Sequence, residues 1–225
     1  LLHLGKPSLN VKALVITCTN GSSELMSNIS MSLVSMLYNA QLMRYAGEDG
    51  VSAYGVLMYV SMIFMAIFIG YCVGSSPIVS YHYGAENRGE LQNMFRKSGL
   101  LMFFLGIAMS LSAIALAKPL AKLFVGYDEA LYNLTWQGFR LYSLAFLFTG
   151  LNIFASSLFT ALNNGTVSAA ISFMRTLVFQ IGAVLVLPAL AGVTGLWLAT
   201  FAAEGCALAV SLIFTLVNRK KYGYF

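Results

Sequence analysis

Residues 51–80 read VSAYGVLMYVSMIFMAIFIGYCVGSSPIVS, a run without a single Asp, Glu, Lys or Arg. As a helix rising 1.5 Å per residue it would be about 45 Å long, more than the roughly 30 Å hydrocarbon core of a bilayer. The run is therefore read as a transmembrane helix ending near Pro77. Upstream lies a polar hinge, RYAGEDG at 44–50, preceded by a longer apolar segment over 13–45. That first segment is interrupted by Asn20-Gly21-Ser22-Ser23-Glu24, which predicts a tilted or kinked helix, and Pro7 stands just before it where a proline suits a helix start.

Downstream, a charged loop, YHYGAENRGE at 81–90, and the pair Arg96-Lys97 lead to a third span over 98–117, bounded by Lys118-Pro119. A loop with Lys122, Asp128 and Glu129 precedes the fourth span, 131–162. Asn163-Asn164-Gly165 is a tight turn by composition, the fifth span covers 167–190 with Pro188 near its end, and AGVTG at 191–195 turns the chain into the sixth, 196–217. The pattern predicts an all-α polytopic membrane protein, a bundle of six transmembrane helices forming one unit over residues 1–225.

Composition agrees. Hydrophobic residues make up 59% and charged residues 9% of the 225 residues, where soluble domains run at about 45–50% and about 25%. The mean hydropathy is +0.78, too high for a soluble fold to hide. The net charge of +5 is no nucleic-acid signal, because the basic residues are scattered between apolar segments. Orientation explains them better. With the N-terminus cytoplasmic, the inner side holds Lys6, Lys12, Arg88, Arg96, Lys97, Arg175, Arg219, Lys220 and Lys221, and the outer side only Arg44, Lys118 and Lys122. An even number of spans returns the C-terminal Arg219-Lys220-Lys221 to the cytoplasm, so a multi-pass protein of the cell membrane with both termini inside is expected. Cys18, Cys72 and Cys206 are odd in number and far apart, which excludes a disulfide framework and any C-x-x-C metal spacing; they read as small packing residues. The opening Leu1-Leu2-His3-Leu4 carries neither an initiator methionine nor a signal-peptide pattern, so either the start has been removed or the chain is a piece of something longer.

An ionisable side chain at mid-helix costs at least about 2.5–3.5 kcal/mol in hydrocarbon, so each one needs a reason. Glu24 lies roughly 16 Å into its segment, near the bilayer centre. Thr17, Thr19, Asn20, Ser22, Ser23, Ser27, Asn28 and Ser30 surround it in sequence, the makings of a hydrated lining. A carboxylate there would bind a proton or a sodium ion; the alternative is a glutamate bonded to serines at a helix–helix contact. Glu204 sits among Ala202, Ala203, Gly205 and Ala207, which let another helix approach closely, and reads equally as a structural bond or a transport residue. Arg140 is expected to snorkel outward and Arg175 towards the inner surface. Asn152, Ser156, Ser157, Thr160 and Asn163 make the fourth span a second polar helix, an echo of the first that is consistent with an internal repeat. His3 and His82 fall at membrane surfaces and read as solvated. The chain contains no G-x-S-x-G, H-E-x-x-H or P-loop and no histidine at membrane depth, so an enzyme is not expected, nor a metal centre or a bound cofactor.

The stretch 74–89, GSSPIVSYHYGAENRG, resembles the end of the eighth helix and the following loop of MATE (multidrug and toxic compound extrusion) transporters. Gly5-Lys6-Pro7-Ser8 is similar to the family's G-x-P-S entry to the seventh helix, and GVTGLWLA at 192–199 is similar to its G-x-x-G-[IL]-W pattern opening the twelfth. The signatures occur in the family's order across the chain. The resemblance implies the C-terminal six-helix lobe of a twelve-helix fold, completed by an N-terminal lobe or a second copy. It implies a secondary transporter exporting amphipathic, often cationic small molecules in exchange for sodium ions or protons. In the NorM-like branch a glutamate of the seventh helix and an aspartate of the tenth are associated with the coupling cation. Glu24 matches the first; the second falls on Asn152, an amide. Coupling would then rest on Glu24 or on an acid of the other lobe. Asn20, Ser27, Asn28, Ser156 and Glu204 are the expected cavity residues. Two rival readings are a flippase for lipid-linked oligosaccharides or cell-wall precursors, which would need several cavity cations where only Arg140 and Arg175 offer themselves, and a six-helix half that transports nothing alone.

Overall fold

The computed structural model describes residues 10–224, apart from the side chains at positions 20, 23, 24 and 26, and every regular element among them is helical. Helix α1 spans Val11–Gly84, α2 Arg88–Val125 and α3 Glu129–Tyr142. A 3-10 turn, Ser143–Ala145, passes α3 into α4, Phe146–Ala161. Helix α5, Gly165–Phe173, continues through a π-helical segment, Met174–Phe179, into α6, Gln180–Tyr222.

The starts of α1, α2, α3 and α5 are set by side-chain caps. Asn10, Asn87, Asp128 and Asn164 accept the main-chain N–H of Ala13, Glu90, Leu131 and Val167, in each case three residues on. Each cap satisfies one of the donors that a first turn leaves unpaired. The helices also outrun the apolar runs of the sequence. The stretch from Arg88 to Lys97 is helical, and Pro119 lies inside α2 rather than at its end. The backbone of α1 stays helical through Asn20–Glu24, where the sequence suggested a kink, and leaves helical geometry at Gly47 alone.

That single departure doubles the chain back. Along an unbroken helix Tyr38 and Tyr54 would stand about 24 Å apart, yet their rings stack with centroids 4.7 Å apart. Gly47 makes the corner with φ 65° and ψ −155°, a region that only glycine enters without strain. Helix α6 breaks in the same manner at Ala191 and Gly192, the latter at φ 56° and ψ −136°. Three residues past each corner glycine stands a second glycine, Gly50 and Gly195. A Cβ on Gly50 would collide with Ala46, and one on Gly195 with the main-chain oxygen of Leu187. The two corners thus share one G-x-x-G construction, Gly47-Glu48-Asp49-Gly50 and Gly192-Val193-Thr194-Gly195.

Four helical stretches are long and apolar enough to cross a membrane: Ser27–Gly84, Arg88–Val125, Glu129–Ala161 and Gly165–Tyr222. Four stretches stand against the six spans expected from the sequence; the first and last of them contain the two corners, at Gly47 and at Ala191–Gly192, where the sequence reading separates one span from the next. Two apolar clusters fill the interior. Tyr38, Leu42, Leu57, Leu196 and Trp197 belong to the one beside the corners. Phe68, Met102, Phe159, Tyr222 and Tyr224 belong to the other. Outward-facing Met36, Leu123, Leu190 and Val217 are strongly exposed, an apolar exterior that suits lipid contact rather than water.

Candidate functional site

Glu204 is the natural point from which to build the site. Its neighbours Ala203 and Ala207 are small and buried, so the other helices close over it and leave the side chain 4% exposed. Helix α4 supplies Asn152, which has no exposure at all. The π segment supplies Arg175, whose side chain is 12% exposed. Arg175 Nη2 lies 2.8 Å from Glu204 Oε1, and its Nε donates to both carboxylate oxygens at 3.0 Å. Asn152 Nδ2 donates to Glu204 Oε2 at 2.7 Å and to the Glu204 main-chain oxygen at 2.9 Å. Ser211 Oγ in turn donates to Asn152 Oδ1 at 3.0 Å.

This is a closed and electrically neutral arrangement. A carboxylate taken out of water needs an opposite charge and hydrogen bonds, and Arg175 and Asn152 provide both. Among the described residues no other Lys or Arg comes within 4.0 Å of a carboxylate. A π-helical turn, wound one residue wider than an α-turn, is frequent at functional positions, and here it carries the cation of the pair. The cluster ties α4, the π segment and α6 together through side chains.

A second polar seam joins α4 to α5. Ser156 Oγ lies 3.0 Å from Ser168 Oγ and 2.8 Å from Ser172 Oγ, and Thr160 Oγ1 lies 2.7 Å from Ser168 Oγ. These hydroxyls satisfy one another. Nearer the corners, Tyr38 Oη donates to the main-chain oxygen of Leu196 at 2.8 Å and meets Thr200 Oγ1 at 3.0 Å.

Of the residues singled out from the sequence, Asn152 and Glu204 are brought together, while Ser156 belongs to the hydroxyl seam. Ser27 is half-buried and Asn28 exposed on α1. The side chains of Glu24 and Asn20 lie outside the described residues. Two readings are corrected. Arg175 does not snorkel to the surface but turns inward onto Glu204. His82, read as solvated, is half-buried with Nδ1 enclosed. Arg140 is exposed, as a snorkelling arginine should be, and lies over the Trp136 ring at 5.4 Å. Of the cysteines, Cys72 is a buried packing residue, whereas Cys18 and Cys206 are exposed. Ser211 was missed altogether. The available signal was a lone acid and a lone base in successive apolar runs, which in hydrocarbon have strong reason to meet.

Comparison with known proteins places this geometry in a family. The MatE family model matches residues 25–185. The chain belongs to the MatE family. A relative, the multidrug export protein MepA of Staphylococcus aureus (strain N315), is 20% identical over 218 residues, covering 96% of this chain and 47% of MepA. The crystal structure of MATE in complex with MaL6 superposes with a TM-score of 0.88 at 19% identity, over 97% of this chain and 49% of that one. The outward-facing conformation of a multidrug resistance MATE family transporter of the MOP superfamily gives 0.88 at 19% identity, over 98% and 50%. At such identity the superpositions show the fold, which is that of MATE transporters. This MatE chain spans about half the length of the curated relatives it matches.

Proposed function

We propose that this chain is one lobe of a multidrug efflux antiporter of the MATE type, crossing the membrane six times and driven by a sodium or proton gradient. The observation that carries the reading is the match of nearly the whole chain to half of a multidrug export protein. The two glycine corners support six crossings, since each divides an apolar stretch where a membrane surface would lie. Both ends then lie on the cytoplasmic side, as the bias of Lys and Arg favours. A second lobe, or a second copy of this one, would complete the cavity in which an amphipathic cation binds.

The division of labour follows from the polar groups. Glu204 is already neutralised by Arg175 and Asn152, which makes it a poor receptor for an incoming cation. We assign the coupling ion to Glu24, with the Asn152–Arg175–Glu204 cluster holding its three helical segments as one body. A cation shifts the balance between inward- and outward-open forms only by binding them unequally. The flippase reading is less well supported. Arg175 is committed to Glu204 and Arg140 lies over Trp136, so neither stands ready for a pyrophosphate.

The test is Glu24→Gln in the native transporter, reconstituted in vesicles with an imposed proton or sodium gradient and a fluorescent cation as cargo. Coupled efflux should disappear while expression and folding persist. Gradient-driven efflux at the parent's rate would remove Glu24 from the mechanism, and scrambling of a labelled lipid without drug efflux would replace the cargo.

A further inference from the structure

Away from the buried cluster, the start of α2 and the end of α6 flank an open surface cleft of about 480 Å³ lined by Arg88, Gln92, Arg219, Lys220 and Gly223. Its wall is built rather than accidental. The C-terminal residues fold back onto the bundle: Tyr224 is buried, its Oη donates to the main-chain oxygen of Thr215 at 2.8 Å, and its ring stacks on Phe95 at 5.0 Å. Gln92 Nε2 donates to the Gly223 main-chain oxygen at 3.2 Å, fastening the tail to α2. Because Gly223 has no side chain, Arg88 can lie against it; a Cβ there would stand 3.1 Å from Arg88 Cδ. The fold therefore holds Arg88 opposite Arg219 and Lys220 across a cleft.

All three cations are exposed, and among the described residues no carboxylate approaches within 4.0 Å of any of them. Three like charges facing one cleft repel one another, and a multivalent anion is what relieves them. The position selects which anion. The cleft lies where the apolar stretch of α6 ends in its basic last turn and where α2 begins, and Tyr222, next to the lining Gly223, packs edge-on against Tyr83 there. Tyrosines at this level mark the interface between hydrocarbon and headgroups. We propose that this cleft binds the phosphate headgroup of an anionic membrane phospholipid. The inference goes beyond transport, and it rests on reading the helices as membrane spans.

Native mass spectrometry of the purified native protein, offered equal phosphatidylglycerol and phosphatidylcholine, tests it. One phosphatidylglycerol should be retained in preference to phosphatidylcholine. Replacing Arg88, Arg219 and Lys220 together by Gln should weaken that preference on the order of 100-fold, about fivefold per cation. Replacing Lys12, Arg96 and Lys97 by Gln removes the same charge elsewhere and should leave it within about twofold. Should the first triple variant aggregate, its three single substitutions, all at exposed positions, still report about fivefold each. Equal loss in both triple variants would reduce the effect to bulk surface charge and overturn the site. Millimolar inorganic phosphate, compared with chloride at equal ionic strength, distinguishes the source of the phosphate. Failure of phosphate to displace the lipid supports a headgroup site; binding of phosphate with no lipid preference overturns it.

Discussion

Removing one partner of the Arg175–Glu204 pair is the most telling perturbation of this fold. In Arg175→Leu the Glu204 carboxylate, 4% exposed in the parent, loses the guanidinium that meets it at 2.8 and 3.0 Å and keeps the Asn152 amide. Stranding a buried charge in this way costs about 3–5 kcal/mol. An ordinary side-chain hydrogen bond between membrane helices averages only about 0.6 kcal/mol, so the two cases separate cleanly. For a chain of this size each kcal/mol moves the melting temperature by roughly 2–4 °C, which gives a fall on the order of 6–20 °C. The double variant Arg175→Leu/Glu204→Leu strands no charge, and Asn152 keeps its bond to the main-chain oxygen of residue 204. It should recover most of the loss. Thermal unfolding of the purified protein in detergent, followed by size-exclusion profile, measures all three variants. An Arg175→Leu melting temperature within about 2 °C of the parent, or a double variant no better than the singles, would refute the view that this pair is a buried charge cluster.

Other predictions concern the corners and the proposed second lobe. Gly192→Ala forces a side chain into a region reserved for glycine and should cost about 1–3 kcal/mol in the same unfolding assay, whereas Ala209→Ser, at an exposed position of α6 away from any corner, should be nearly silent. Tyr38→Phe removes a hydroxyl that bridges Leu196 and Thr200 and should cost about 1 kcal/mol; a larger loss would mean that ring packing had also been disturbed. An antibody against the Lys220-Lys221 region should detect a native product near twice 24.4 kDa if one polypeptide supplies both lobes. A product near 24.4 kDa would instead direct attention to a second copy.

The class of this fold could be read from composition, because 59% hydrophobic residues admit few other solutions. Its turns were legible too, since Gly, Asn and Asp punctuate them: Asn163 adopts φ 57° in the link to α5, and Asn164 caps that helix. Helix ends were not. Apolar runs mark where lipid lies, whereas helices continue into polar sequence as long as a cap or a proline does not stop them, and Pro119 did not. The site was half legible. Glu204 stood out as an acid among small residues, but its partner lies 29 positions away, and nothing in the sequence pattern announces the π segment that presents Arg175. Long-range pairing is a property of how helices stack, which a one-dimensional pattern does not contain.

The links between helices are short. Ala85–Asn87, Gly126–Asp128 and Leu162–Asn164 join neighbours through three residues each, and the other two turns are the glycine corners themselves. A chain so tightly laced has no slack to lend. One helix cannot slide along another without unwinding its own end, so relative motion inside this bundle has to be absorbed as bending along a helix. One place already wound more loosely than an α-helix is Met174–Phe179, and the guanidinium of Arg175 fastens it to α6 like a pin through a joint.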